Sequence, residues 1–207
     1  MLITLVIIGV IAALTIPNLL VKYEKEQTVT KLKKFYSEFS NAISLSEIDN
    51  GPINTWNFPY QQFTVIDFNN TYIKNYTKGK LTNGYQVKDI LGINNTLGSF
   101  INGNTYSLPD GTIYTTRTTN ANNTDLFLMV DINGPKKPNR FGKDVFLLYI
   151  HKNKRLQPYG YNLTREQLKS TSLEYGCNKE ISTGRTGGYC AALIQRDNWQ
   201  IKDDYPW

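Results

Sequence analysis

The sequence predicts an α+β fold: a long N-terminal helix laid on an antiparallel sheet of about four strands, with a disulfide-bounded loop near the C-terminus. Three observations carry that prediction. No charged side chain occurs from Met1 to Val21, an amphipathic helical pattern follows without a break, and between residues 105 and 152 the pattern changes to β-rich runs separated by turn residues. An amphipathic helix has one stripe to bury and an open sheet has a face to cover, so the two elements suit one another as layers of a single domain.

The helix comes first. Leu, Ile, Val and Ala dominate its uncharged start, which at ~1.5 Å per residue reaches about 32 Å, enough to cross the hydrocarbon core of a bilayer. Beyond it, apolar residues recur at Val21, Val29, Leu32, Phe35, Phe39, Ala42, Ile43 and Leu45 among Lys, Glu, Gln and Ser, a near-helical spacing that leaves one face to bury and one to wet. Residues 1–50 therefore read as one rod, 1–21 apolar all round, and Asn50-Gly51-Pro52 is its stop signal. Gly9 and Pro17 are its weak points, because glycine loses backbone entropy in a helix and proline lacks an N–H and crowds the preceding turn.

The stretch MLITLVIIGVIAALTIPNLL, with Gly9 and Pro17 eight residues apart and an amphipathic continuation, resembles the N-terminal segment of type IV pilins and type II secretion pseudopilins. In that superfamily the mature chain begins with a methylated aromatic residue and carries a glutamate a few residues in; both would lie just upstream of Met1, and neither is present. A secretory h-region fits less well, since it runs to only about 7–15 residues behind a basic n-region.

The resemblance implies a structural subunit rather than an enzyme. Such a subunit is stored in the cytoplasmic (inner) membrane and then polymerises with itself, through the apolar helix, into an extracellular filament. Its implied partners are further copies of itself, related minor pilins, the inner-membrane assembly machinery and, before assembly, the membrane. Within the superfamily the alternative is a pseudopilin of a secretion or DNA-uptake system. From another class it is a single-pass membrane-anchored ectodomain. The resemblance also implies that the segment from Gly9 to Pro17 melts when the filament assembles.

Residues 51–207 are expected to form one globular domain of ordinary size. The net charge of +6 is not gathered in a block; Lys22, Lys25, Lys31, Lys33 and Lys34 follow the apolar run, where lysines sit at lipid headgroups. No recognised nucleic-acid motif accompanies them, so nucleic acid is not an expected partner. Residues 51–105 are irregular, with short apolar pieces at 63–68 and 87–93 and turn signals at Asn83-Gly84 and Asn102-Gly103. The sequons at Asn69, Asn75, Asn94, Asn122 and Asn162 are read as a by-product of Asn-rich composition.

Strands are expected at 105–108 and 112–117, joined by Pro109-Asp110-Gly111, and at 126–132 and 145–152. Behind them come the two cysteines, Cys177 and Cys190, and a short helix through Ala191–Ile194. The chain closes on Trp199, Tyr205 and Trp207, aromatics expected either to cover the sheet edge or to meet a neighbour. In an exported chain the two cysteines are expected to be bonded, and their spacing is similar to that of the C-terminal disulfide loop of many type IV pilins.

Signals for chemistry are sparse. His151 stands alone, without a Gly-x-Ser-x-Gly elbow anywhere, and the glycine-rich run 184–188 lacks the Lys-Ser/Thr of a phosphate loop; that run reads as slack inside the disulfide loop. The stretch from Asp131 through Asn133 to Asp144 opens like a calcium loop, since calcium takes oxygen ligands from carboxylates, amides and carbonyls. Yet three lysines and an arginine lie within it. Calcium at Asp131, Asn133 and Asp144 and a structural turn between two strands are both open readings.

Overall fold

The computed structural model describes residues 2–61, 64–82, 90–98, 104–118 and 124–207. Helix α1 (Leu2–Asn50) is continuous through both Gly9 and Pro17. It ends where Gly51 takes a left-handed backbone (φ +76°), a conformation that only glycine adopts without strain. Glu47 Oε1 accepts from the Ile53 N–H at 3.0 Å, and the Trp56 indole donates to the Gly51 carbonyl at 2.7 Å. These contacts fix the direction in which the chain leaves the helix.

After a 3₁₀ turn at Ile53–Thr55, short helices α2 (Val65–Phe68) and α3 (Lys74–Thr77) flank a π turn at Asn69–Ile73. A six-stranded antiparallel meander follows: β1 (Lys80–Leu81), β2 (Asn104–Ser107), β3 (Ile113–Thr118), β4 (Asp125–Asp131), β5 (Val145–His151) and β6 (Arg155–Pro158), neighbours in space as in sequence. Helices α4 (Arg165–Leu168) and α5 (Cys190–Arg196) lie in the C-terminal segment.

The sheet has six strands where the sequence suggested about four. The four expected strands are β2 to β5; the additions are the edges. Strand β1 has two exposed residues, too short for any periodicity to register. Strand β6 pairs Leu156 with Ile150 and Arg155 with His151 across a tight turn, and its Arg-Leu-Gln-Pro sequence carries little β signal. The turn signals at 83–84 and 102–103 and the sequon at Asn122 lie outside the described residues. The apolar piece at 65–68 is helical rather than extended, and Asn69 is buried, its amide donating to Val65 O and Thr116 Oγ1, which removes that sequon as a surface feature.

Register explains why β5 is almost wholly apolar. Leu128 faces Leu148 and Val130 faces Phe146 across the β4–β5 ladder, and this face, with Tyr106, Tyr114 and Leu156, receives Leu32, Phe35, Phe39 and Ile43 of α1. The alternate residues Met129, Val145 and Leu147 join Ile113, Ile90 and Phe141 in a second cluster on the opposite face. Both faces of β5 are covered, so its sequence has no polar alternation. Of the expected helical stripe, Val21 and Leu45 are exposed, Leu45 at 51%, and Ile48 beyond it is 79% exposed.

Phe39 is 1% exposed and meets the Tyr114 ring edge-on at 5.4 Å. Phe39→Ala is expected to cost ~3–5 kcal/mol in a urea melt, whereas Ile48→Ala on the exposed face of the same helix is expected to cost under ~0.5 kcal/mol.

Candidate functional site

The described side chains in the apolar half of α1 are exposed. Val6, Ile7, Ile8, Leu14, Leu19 and Leu20 are all more than half exposed, and a Cβ added at Gly9 would meet nothing within 4 Å. One helix is long and apolar enough to cross a membrane by length and composition. Within it, Pro17 has no N–H for the carbonyl four residues back, while Thr15 Oγ1 bonds the Ile11 carbonyl at 2.9 Å.

Where this half gives way to the buried half, the rest of the chain closes on the helix from two sides. The tail brings Trp199 and Ile201 against Val21, Lys25 and Val29, and Trp199 packs on Tyr36 at 5.3 Å. On the other side the β4–β5 loop reaches back: Thr28 Oγ1 donates to the Lys143 carbonyl at 3.1 Å and Lys143 Nζ lies 3.3 Å from Glu24. Tyr205 is buried and donates to the Gly142 carbonyl. The terminal aromatics therefore cover the helix and the β4–β5 loop rather than the sheet edge.

An ion network that sequence reasoning missed holds the tail there. Arg165 grips Asp197 (2.8 and 3.0 Å) and Asp204 (2.8 and 2.9 Å) with paired bonds, and Lys202 adds a 2.8 Å contact to Asp197. The Arg165 guanidinium and the Lys169 ammonium beside Asp204 hold its carboxyl far below the usual range. These residues are dispersed along the sequence, and no short-range spacing announces the cluster. The neighbouring helix α4 is readable, because Thr164 and Gln167 form a capping box.

Cys177 and Cys190 are bonded and fully buried. The bond ties the segment after α4 to the start of α5, and the glycine run it encloses is not slack. A Cβ on Gly184 would stand 2.3 Å from Gly98 Cα, so this glycine permits the backbone at 97–98 to approach. The Ile93 N–H bonds the Thr186 carbonyl at 2.9 Å.

Asp131 and Asp144 are brought together across the β4–β5 connection, with Asn133 as the bridge. The Asn133 N–H donates to Asp131 Oδ1 and its side-chain amide to Asp144 Oδ2, both at 3.1 Å. Asp144 also accepts from the N–H groups of Asn139 and Arg140. Burial, and to a lesser degree the Asp144 carboxylate, pushes Asp131 up to about 7; burial also raises Asp144. Among the described residues Asp131 Oδ2 and Asn133 Oδ1 have no hydrogen-bond partner, but Asp144 is already filled by N–H donors. No group of three or more His, Cys, Asp or Glu is gathered among the described residues. Calcium would need about six to eight oxygens, and the set as arranged suits a turn closed on itself better than a cation cage.

His151 serves a second turn. Its Nδ1 accepts from the Asn153 N–H at 2.9 Å and its Nε2 lies 3.5 Å from Asp125 on the paired strand.

This is an α+β domain carried on a helix of membrane-spanning length. The chain belongs to a family of unknown function (DUF6613), whose model matches residues 18–207, from within the apolar run to the last residue. No curated protein and no solved structure matches the chain.

Two predictions attach to this region. Intact-mass measurement with and without reductant is expected to show no alkylatable thiol in the native protein; closing this loop contributes about 3 kcal/mol in the chain-entropy account. Asp131, with its folded value raised from 3.8 to about 7, binds more protons folded than unfolded, so its share of stability falls as pH rises from ~4 to ~7. Asp131→Asn is expected to flatten that slope and to match or exceed the parent at pH 8, by up to roughly 2–4 kcal/mol. A parent melting temperature unmoved by chelator or calcium supports the turn; a calcium-dependent rise abolished by Asp144→Ala establishes the cation site.

Proposed function

We propose that the chain is a pilin-like structural subunit. It is held in the cytoplasmic membrane by the apolar half of α1 and polymerises through that same half into an extracellular type IV pilus-like filament. The observation that carries this reading is the uncovered apolar surface from Val6 to Leu20, joined without a break to a helix half that is built into a domain core. Water cannot solvate that surface at acceptable cost. Lipid can before assembly, and neighbouring helices can afterwards.

A head-to-tail contact between identical subunits that does not close gives an open helical polymer, and packing of Leu, Ile and Val between helices drives it. Gly9 fits here, because its open flank offers a place for a neighbouring helix to approach. Proof of calcium at the β4–β5 loop would move the assignment to the secretion pseudopilin. A helix that stays monomeric in every state would move it to a single-pass anchored ectodomain.

Imaging of purified surface filaments, with the chain identified in them by mass spectrometry, tests the proposal; their absence from cells that export the chain overturns it. The filament is expected to show α1 opened between Gly9 and Pro17, as the resemblance to pilins implies. An extended residue advances ~3.3 Å against ~1.5 Å in a helix, so eight residues lengthen the rod by up to about 14 Å. Pro17→Ala is expected to lower filament yield. A filament map with unbroken helical hydrogen bonds from Gly9 through Pro17 contradicts the melting.

A further inference from the structure

The level at which the domain meets α1 coincides with the level at which a spanning helix leaves the hydrocarbon. Residues 2–21 are helical and uncharged, a length of about 30 Å that matches a bilayer core, and the headgroup layer beyond adds roughly 5–7 Å, or about four residues. Residues 22–26 therefore stand among the headgroups. No spacer separates them from the domain: Trp199 and Ile201 flank one groove with Val21 and Lys25, and Lys143 meets Glu24 across the other.

The side chains gathered at that level are those of an interface. Trp199 and Trp207 are half-buried and Tyr23 is exposed, aromatics of the kind that settle at headgroup depth. Lys143 sits 4.9 Å over the Trp207 ring. The two grooves are lined by Lys22, Lys25, Lys31, Lys137 and Lys143 against the solvent-facing carboxylates Glu24, Glu26 and Asp203. Glu24 is already paired with Lys143. Lys22, Lys25 and Lys137 make no ion pair with a described residue.

We propose that this end of the domain, formed by the C-terminal tail and the β4–β5 loop around residues 22–31 of α1, is a docking surface for anionic lipid headgroups. The proposal rests on the reading of α1 as a membrane span. Trp199 and Trp207 seat at headgroup depth, and Lys22, Lys25 and Lys137 supply the charge preference. A lysine near an anionic surface shifts such an equilibrium about fivefold.

The test uses the full chain in vesicles of phosphatidylcholine alone and of phosphatidylcholine with phosphatidylglycerol, carrying a headgroup-attached nitroxide that quenches tryptophan. Trp56 is 1% exposed and stacked on Tyr72, so it is a silent internal control. The chain is expected to float with both vesicles and to be quenched at least about twofold more in the anionic ones. Replacing Trp199 and Trp207 together by Phe is expected to abolish the quenching. The triple variant Lys22→Gln, Lys25→Gln, Lys137→Gln is expected to float as before and lose the anionic increment.

Flotation with equal, weak quenching in both lipids overturns the docking surface and leaves the span standing. Protection that grows with protein-to-lipid ratio and ignores lipid charge assigns the surface to a second copy instead, and so also overturns it. Failure to float overturns the span, and the proposal with it.

Discussion

One helix has to satisfy two solvents. Over residues 28–46 of α1 one stripe is sealed against the sheet, and that burial, at roughly 1.5–3 kcal/mol for each large side chain, fixes where the helix lies. The same helix carries the apolar run, whose described side chains from Val6 to Leu20 are exposed. Every other feature of the molecule can be read as a response to that junction. The sheet is long enough to bury the stripe, its far face is closed by loops and the disulfide segment, and the tail is drawn back to the point where the helix changes character.

The tail is held by charge rather than by apolar contact alone. Exposed ion pairs are individually weak, but Arg165 makes paired bonds to two carboxylates, one of them, Asp197, only 4% exposed. The geometry of a guanidinium favours this arrangement, and a lysine at the same place would not reproduce it. With the segment after α4 tied to the start of α5 by the disulfide and α5 packed under β5 and β6, the network carries the position of the core out to Trp199 and Ile201. The β4–β5 loop reaches the same level independently, through Thr28, Lys143 and Glu24.

The sequence displayed the helix, its stop, the four central strands, the cysteine pair and helix α5, because each rests on a local signal: periodicity, a glycine after the last turn, or runs of branched residues. Edge strands β1 and β6 escaped because two residues cannot show a period of two and Arg-Leu-Gln-Pro lacks β-branched and aromatic residues. Leu45 was assigned to the buried stripe on spacing, yet it faces away from the domain between the buried Ile43 and Ser46. The network around Arg165 was illegible for a different reason: Arg165 lies 32 and 39 residues from its two carboxylates, and only the tertiary fold brings them together. Asp131 and Asp144 were legible as a pair, but the N–H groups of Asn139 and Arg140 that occupy Asp144 beside the Asn133 amide are backbone groups, which no side-chain pattern reveals.

These contacts also decide which part of α1 can change length. From Thr28 onward the helix is engaged on its buried face, so opening it there would strip Leu32, Phe35, Phe39 and Ile43 from the core at a cost comparable to a large share of a domain's net stability. Between Val21 and Thr28 the β4–β5 loop still holds it through Glu24 and Thr28, and the tail lines a groove beside it. Toward the N-terminus its described side chains are exposed, and there lie both Gly9, with open space beside it, and Pro17, which removes one helical hydrogen bond. In lipid an opened backbone is prohibitive because its polar groups find no partners, whereas packed protein can supply some of them. On the proposed reading the segment would be helical where lipid surrounds it and extensible only where protein does. A single sequence would then provide a stable span in one setting and a compliant joint in the other, without any change to the domain it carries.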